Sequence, residues 1–341
     1  MADALVIAGA VLKGSFAAGA LAVLSDPAVH ARLGLHVRRI VGTSSGALNG
    51  AYYAAAIHAG QEAHAGDRLA DLWVSDGGVL DSIAPSMRAI LARRGLSSTR
   101  KIAALLRASI AVQPSRRPVS LRLIATNLLG ERVFIDGRAA TTHEHVFSFD
   151  GADMATQEGL DRLFDAVAAS AAFPGIFDPV ELRVDGREAT FIDGGAVNDA
   201  PIGYALDGGL GVDRVFIITP NPRIERPQGA LRGLAYAAQL ADILIDERLV
   251  RDLAETVRIN GALVALERAE PDPARRAKVL AAVGWEGRRV VQLIEIRPEA
   301  VLPGSSFSGW FSKSLRKDYV AAGRAAAERA LEALRTATHK P

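Results

Sequence analysis

The sequence predicts an α/β protein with a mostly parallel central sheet and helices packed on both of its faces. Three observations carry this expectation. Short apolar runs that end at glycine alternate with alanine-rich stretches at helical spacing. "ALVIA" (4–8) precedes "GSFAAGALAVL" (14–24), and "HVRRIVG" (36–42) precedes "GALNGAYYAAAIHAG" (46–60). A strand–helix–strand–helix order implies parallel pairing, because each crossover must be long enough to return over the sheet. The first run is apolar without interruption, in the manner of a strand buried on both faces. Finally, 341 residues, 49% hydrophobic and 23% charged, suffice for one large globular core.

The later elements continue the pattern. Residues 67–112 read as mainly helical and basic, and "SLRLIATNLLG" and "ERVFIDG" as two strands joined by a tight glycine turn. "GLDRLFDAVAASAAF" (159–173) is an amphipathic helix stopped by Pro174-Gly175. "ATFIDGG" (189–195) is a strand running into two glycines, and "DRVFIITP" (213–220) a buried strand closed by proline. A long helical region (229–268), a late strand (288–298) and a terminal helix (313–336) follow. There is no internal repeat and no flexible linker. We expect one domain over 1–341, with a basic helical insert at about 67–118 and C-terminal helices and a strand at 229–336.

Composition excludes several classes. There is no cysteine, hence no disulfide and no thiolate metal site. The N-terminal apolar run lacks a basic n-region and is short and glycine-broken, unlike a signal peptide. No stretch is long enough to span a membrane. The expected location is cytoplasmic. The formal net charge is only +2, yet no acidic residue occurs from Ser82 to Gly130, where Arg88, Arg93, Arg94, Arg100, Lys101, Arg107, Arg116, Arg117 and Arg122 fall. Such a stretch either faces an anionic partner or is a solvated helical face whose acidic partners lie elsewhere in the fold. It carries no nucleic-acid reader motif, so no nucleic-acid partner is expected.

The chemistry-bearing stretch is "IVGTSSGALNG" (40–50). Gly42-Thr43-Ser44-Ser45-Gly46 fits G-x-S-x-G with Ser44 at its centre, after an apolar strand and before an alanine-rich helix. That context is the one a nucleophile elbow needs: a serine on a sharp, strained turn, with small flanking residues to relieve clashes. Ser45 instead begins the helix. A serine hydroxyl needs a base, but the histidines at 30, 36, 58, 64, 143, 145 and 339 offer little. His339 is in a polar tail, and His143 and His145 read either as a metal pair or as part of a solvated loop. Asp193 is the other candidate. It ends an apolar strand, and Gly194 and Gly195 let the chain turn sharply after it. Burial beside a hydroxyl would make its carboxylate a better base. Taken alone, Asp193-Gly194 reads as a turn.

Four stretches together resemble the patatin-like phospholipase family: "AGAVLKGSFAAGAL", "GTSSGALNG", "ASAAFPGIFDPV" (169–180) and "FIDGGAVNDAPI", in order across residues 5–202. The resemblance implies a three-layer α/β/α patatin-like fold and a Ser–Asp dyad, its nucleophile at Ser44 and its base at Asp193. It also implies hydrolysis of lipid acyl esters without a metal or other cofactor. The family's oxyanion motif, G-G-G-x-[RK]-G, falls on Gly9-Ala10-Val11-Leu12-Lys13-Gly14. Gly9, Lys13 and Gly14 match, whereas Ala10 and Val11 replace glycines. Where the third position needs φ > 0, a β-branched valine costs about 1–2 kcal/mol. Asp199 stands where the family often has Asn. Lys13 either stabilises negative charge or lies solvated at a helix start. The loop is neither a P-loop nor a dinucleotide fingerprint. The expected partner is a lipid or acyl-ester substrate, with peripheral membrane contact. "FSGWFSKSLRK" (307–317) sets Phe307, Trp310 and Phe311 beside Lys313, Arg316 and Lys317, suited either to an interface or to core packing. The alternative to an enzyme is a weak or inactive lipid-binding protein on the same fold, which the Ala10-Val11 departure keeps open. Nothing in the sequence fixes an oligomeric state.

Overall fold

The computed structural model describes residues 1–75, 99–207, 209–223, 234–304, 308–310 and 312–338. Among them, eight strands form one mixed sheet: β1 (Ala2–Ile7), β2 (Val37–Thr43), β3 (Ser120–Ile135), β4 (Arg138–Phe149), β5 (Val180–Val184), β6 (Arg187–Asp193), β7 (Val212–Ile218) and β8 (Gln292–Ile296). The order is β5-β6-β3-β2-β1-β7-β8, with β4 also paired to β3. The run β3-β2-β1-β7-β8 is parallel throughout. β4, β5 and β6 add antiparallel pairs at one side.

The helices are α1 (Gly14–Leu24), α2 (Pro27–Leu33), α3 (Ser45–His58), α4 (Ala65–Val74), α5 (Arg100–Ser109), α6 (Gly151–Met154), α7 (Gln157–Ser170), α8 (Ile202–Leu206), α9 (Leu234–Ala269), α10 (Pro273–Ala282) and α11 (Lys313–Thr338). Their ends follow local chemistry. α2 starts at Asp26, whose carboxylate accepts the N–H groups of Ala28 and Val29, has Pro27 in its first turn, and stops at Gly34 with φ 55°. Along β1 the side chains alternate between two cores. Leu5 and Ile7 pack with α1, α3 and α7 on one face, while Ala4, Val6 and Ala8 pack with Ile202, Ala205 and Leu249 on the other. Both faces are covered, which is why residues 4–8 of this strand and its end read as an unbroken apolar run.

Two local expectations change. Residues 120–135 form one long strand rather than two. Its pairing with β4 shifts register between Thr126 and Glu131, and the hairpin turn falls at Asp136-Gly137. His143 and His145 therefore lie in β4 instead of a loop. The basic stretch finds acidic partners: Arg107 pairs with Asp161 and Asp165, and Arg117 with Glu62. Arg88, Arg93 and Arg94 lie outside the described residues, as do Phe307, Phe311 and His339.

One register feature positions everything that follows. β2 runs parallel to β3 and ends with Thr43 opposite Ile124. β6 runs in from the other direction along the same edge of β3 and ends with Asp193 opposite Ala125. Two strands thus meet end to end over adjacent β3 residues, and Ser44 and Asp193 are the residues at the junction.

Candidate active site

Ser44 joins β2 to α3. Its φ is 56° and ψ is −124°, a conformation that L residues avoid and that costs on the order of 1–3 kcal/mol. The surroundings hold it there. The Ser44 N–H donates to Ser170 Oγ at 2.9 Å, and the Ser170 hydroxyl donates to the Ile124 carbonyl at 2.5 Å. Ser170, fully buried at the end of α7, therefore ties the elbow to β3. A Cβ on Gly46 would sit 2.1 Å from the Ile7 carbonyl oxygen, so only glycine lets α3 start so close to β1. Gly42 is the penultimate residue of β2. Ser45 opens α3 and is not strained. Its Oγ accepts the Ala10 N–H at 3.0 Å.

Asp193 is buried at the end of β6. Its N–H donates to the Ala172 carbonyl, and its own carbonyl accepts the Thr126 hydroxyl at 2.8 Å. Gly194 opens a 3-10 turn, and the Gly195 N–H donates to Asp193 Oδ1 at 2.8 Å. Oδ2 is buried and meets no donor at full hydrogen-bond geometry. Burial pushes the carboxyl pKa up to about 6, while the Ser44 hydroxyl and the Gly195 N–H pull it down.

The Gly9–Gly14 turn lies across from the elbow. Val11 has φ 48°, the left-handed conformation that its β-branched side chain disfavours. It begins a 3-10 turn, Val11–Lys13, and Gly14 then starts α1. The Gly9 N–H donates to Asp199 Oδ1 at 2.9 Å, tying the turn to the segment after Asp193. A Cβ on Gly9 would fall 2.3 Å from that oxygen and 2.9 Å from the Ser44 Cβ. The N–H groups of Gly9 and Ala10 are thus engaged internally, while those of Val11 and Leu12 meet no acceptor among the described residues. Lys13 is buried and not solvated.

Beside Ser44 opens a narrow, almost wholly apolar cleft of about 30 Å³, walled by Val11, Leu48, Trp73, Ile102, Phe173 and Phe177. Asn49 fixes its floor by donating to the Gly14 carbonyl and accepting the Trp73 indole N–H at 2.8 Å. No histidine lines it among the described residues. His143 bonds the Asn127 carbonyl and His145 pairs with Glu131. No group of three or more His, Asp or Glu among the described residues is arranged to hold a metal ion. Arg316 is buried and donates to the carbonyls of Trp73 and Gly309, so this member of the 307–317 cluster braces the wall of the cleft. Sequence reasoning missed Ser170, Asp199 and Asn49 as supports. All three lie within stretches that carried the resemblance, but their roles depend on distant partners.

The chain is 31% identical over 207 residues to the uncharacterized protein YqhO of Bacillus subtilis (strain 168), an alignment covering 58% of this chain and 64% of that protein. The aligned region thus spans less than two thirds of that relative's length. The crystal structure of VipD from Legionella pneumophila aligns with 97% of this chain and 67% of its own at a TM-score of 0.42 and 13% identity. The family model of patatin-like phospholipases matches residues 5–206, more than half of the chain and all four motif stretches. The chain belongs to the patatin-like phospholipase family.

Proposed function

We propose that the protein is a serine-dependent lipid acyl hydrolase of the phospholipase A, lysophospholipase or carboxylesterase type, working through a Ser44–Asp193 dyad. The observation that carries this reading is the end-to-end meeting of β2 and β6 over Ile124 and Ala125. It sets a strained serine against a buried carboxyl whose pKa is raised to about 6.

In the first step Asp193 takes the Ser44 hydroxyl proton as Oγ attacks the ester carbonyl. The oxyanion is held by the N–H groups of Val11 and Leu12, joined by Ala10 when the Ser45 hydroxyl turns aside. The tetrahedral intermediate collapses, the C–O bond to the alcohol breaks, and Asp193 returns the proton to the leaving oxygen. Water, deprotonated by Asp193, then attacks the acyl-enzyme and releases the fatty acid and free Ser44. A carboxyl near pKa 6 suits both directions of transfer close to neutral pH. The acyl chain approaches Ser44 along the apolar walls of Leu48, Trp73, Phe173 and Phe177, which must part to admit it because about 30 Å³ is close to the volume of a single water molecule.

A second reading, a lipid-binding protein with little turnover, draws on the same turn. The N–H groups of Gly9 and Ala10 are already bonded, and Val11 stands in place of glycine. A fluorophosphonate probe separates the two. Labelling confined to Ser44, lost in Ser44→Ala and accompanied by turnover of a p-nitrophenyl ester, supports the hydrolase. An unlabelled, folded protein sinks it.

A further inference from the structure

β3 does not stop at the sheet. Past Asn127, where pairing with β6 ends, it continues with β4 as a two-stranded arm closed by Asp136-Gly137. The direction matters. β3 is parallel to β2, so the arm leaves from the end of the sheet that carries Ser44. From Glu131 to Ile135 the paired ribbon is about 14 Å long at the usual strand rise. It bears an unusual surface. Leu128 (46%), Leu129 (68%), Phe134 (66%) and Ile135 (62%) are all exposed, four large apolar side chains within eight residues. Isolated exposed apolar residues need no explanation, but a cluster at the tip and base of a projecting arm does.

We propose that this arm docks the enzyme on an anionic lipid bilayer, with Phe134 and Ile135 in the interface. The inference rests on the lipid-hydrolase reading of the Ser44 site. The depth to which apolar side chains enter the headgroup–acyl boundary, about 5–10 Å, is within the arm's reach. Charge favours the same occupant. Arg132 and Arg138 flank the tip, and the Arg132 guanidinium lies over the Phe134 ring at 5.1 Å, an aromatic–cation pair suited to the headgroup level. Of the two acids on the arm, Glu131 is engaged by His145, leaving Asp136 in the turn. No helix among the described residues is long and apolar enough to cross a membrane. Docking through the arm would present the Ser44 end of the sheet to the membrane.

The test is co-sedimentation of the full chain with vesicles of phosphatidylcholine and phosphatidylglycerol, alongside turnover of a soluble short-chain p-nitrophenyl ester. We expect the native protein and Ser44→Ala to sediment alike. The Phe134→Ser/Ile135→Ser double variant should lose at least about ten-fold in partition. Arg132→Gln/Arg138→Gln should lose the gain that phosphatidylglycerol or low salt confers. Both double variants should hydrolyse the soluble ester at the native rate, because the arm lies outside the catalytic cleft. Equal partition of the apolar variant and the native protein, or no partition of the native protein, overturns the proposal. So does a native dimer that the apolar substitutions convert to monomer while leaving vesicle binding unchanged, since the arm would then pair with a second copy. Failure of soluble-ester turnover in the native protein would count against the Ser44–Asp193 reading alone, because partition is measured without catalysis.

Discussion

Two pairs of residues share one unfavourable backbone angle for opposite reasons. Asp136 and Asp185 each have φ 49° and each precede a glycine that also has positive φ, in two-residue loops that close the β3–β4 and β5–β6 hairpins. Asp-Gly is what such a turn prefers, because its twist matches the strands it joins. Val11 (48°) and Ser44 (56°) adopt nearly the same φ with side chains that do not favour it. They are held there by tertiary contacts: the Ser170 bridge to Ile124, Asp199 on Gly9, and Ser45 on Ala10. Where local sequence and backbone agree, the turn is simply a turn. Where they conflict, the strain is imposed from outside, and here both conflicts border the cleft.

The sharpest way to break this contrast is to remove the side chains of the proposed dyad. Ser44→Ala should lower kcat by about 10⁴-fold or more with the fold intact by circular dichroism. Asp193→Asn should cost about 10²–10⁴-fold. It also has a pH signature. The folded Asp193 carboxyl titrates near 6 and the unfolded one near 3.9, so the folded chain binds its proton more firmly. The stability tied to this group is full below about pH 4 and is lost as pH rises to about 6. Asn carries no such penalty. Asp193→Asn should therefore unfold at higher denaturant than native at pH 8, by up to about 3 kcal/mol, with the gain gone near pH 4. Native kcat/KM should rise through a limb near pH 6. A flat profile, or a variant less stable at pH 8, removes the buried-base assignment.

Next is the clamp. Ser170→Ala deletes both bonds that hold the elbow, and we expect about 1–3 kcal/mol of destabilisation from the groups left unpaired. Because Ser170 acts through Ser44, kcat should drop by about 10–100-fold with KM little changed. Fluorophosphonate labelling should slow in parallel, and Ser170→Thr, which keeps the hydroxyl, should recover most of both. Loss of stability without slower labelling would make Ser170 a packing residue only.

Much of the site was legible because its motifs are local. G-x-S-x-G between an apolar run and an alanine-rich helix singled out Ser44, whereas Asp193, which alone reads as a turn, stood out only through the resemblance of the four stretches together. The positive φ at Val11 followed from its standing where the family has glycine. The supports were not legible. Ser170 is one serine at the end of an amphipathic helix, and its partners lie 126 and 46 residues away. No local spacing encodes that. The course of β3 was misjudged for a related reason. Gly130 resembles a hairpin turn, whereas cross-strand pairing with β4 makes it part of a bulge and moves the turn to Asp136-Gly137.

Smaller effects test the strain itself. Val11→Gly should relieve a left-handed β-branched residue at the cost of a more flexible unfolded chain, a net gain of about 0.5–1 kcal/mol read as a higher Tm. Val11→Ala keeps the strain and should show no such gain. At the other end of the scale, Asp185→Asn exchanges one residue suited to the β5–β6 turn for another, and stability should stay within about 0.5 kcal/mol. Ester turnover should not change either, although β6 carries Asp193 eight residues on. The register of β6 is fixed where Phe191, Ile192 and Asp193 pair with Asn127, Thr126 and Ala125, beyond the influence of its turn. A slower Asp185→Asn enzyme would mean that the hairpin turn sets the position of the base, and the division between locally favoured and externally imposed geometry would fail at the strand that links them.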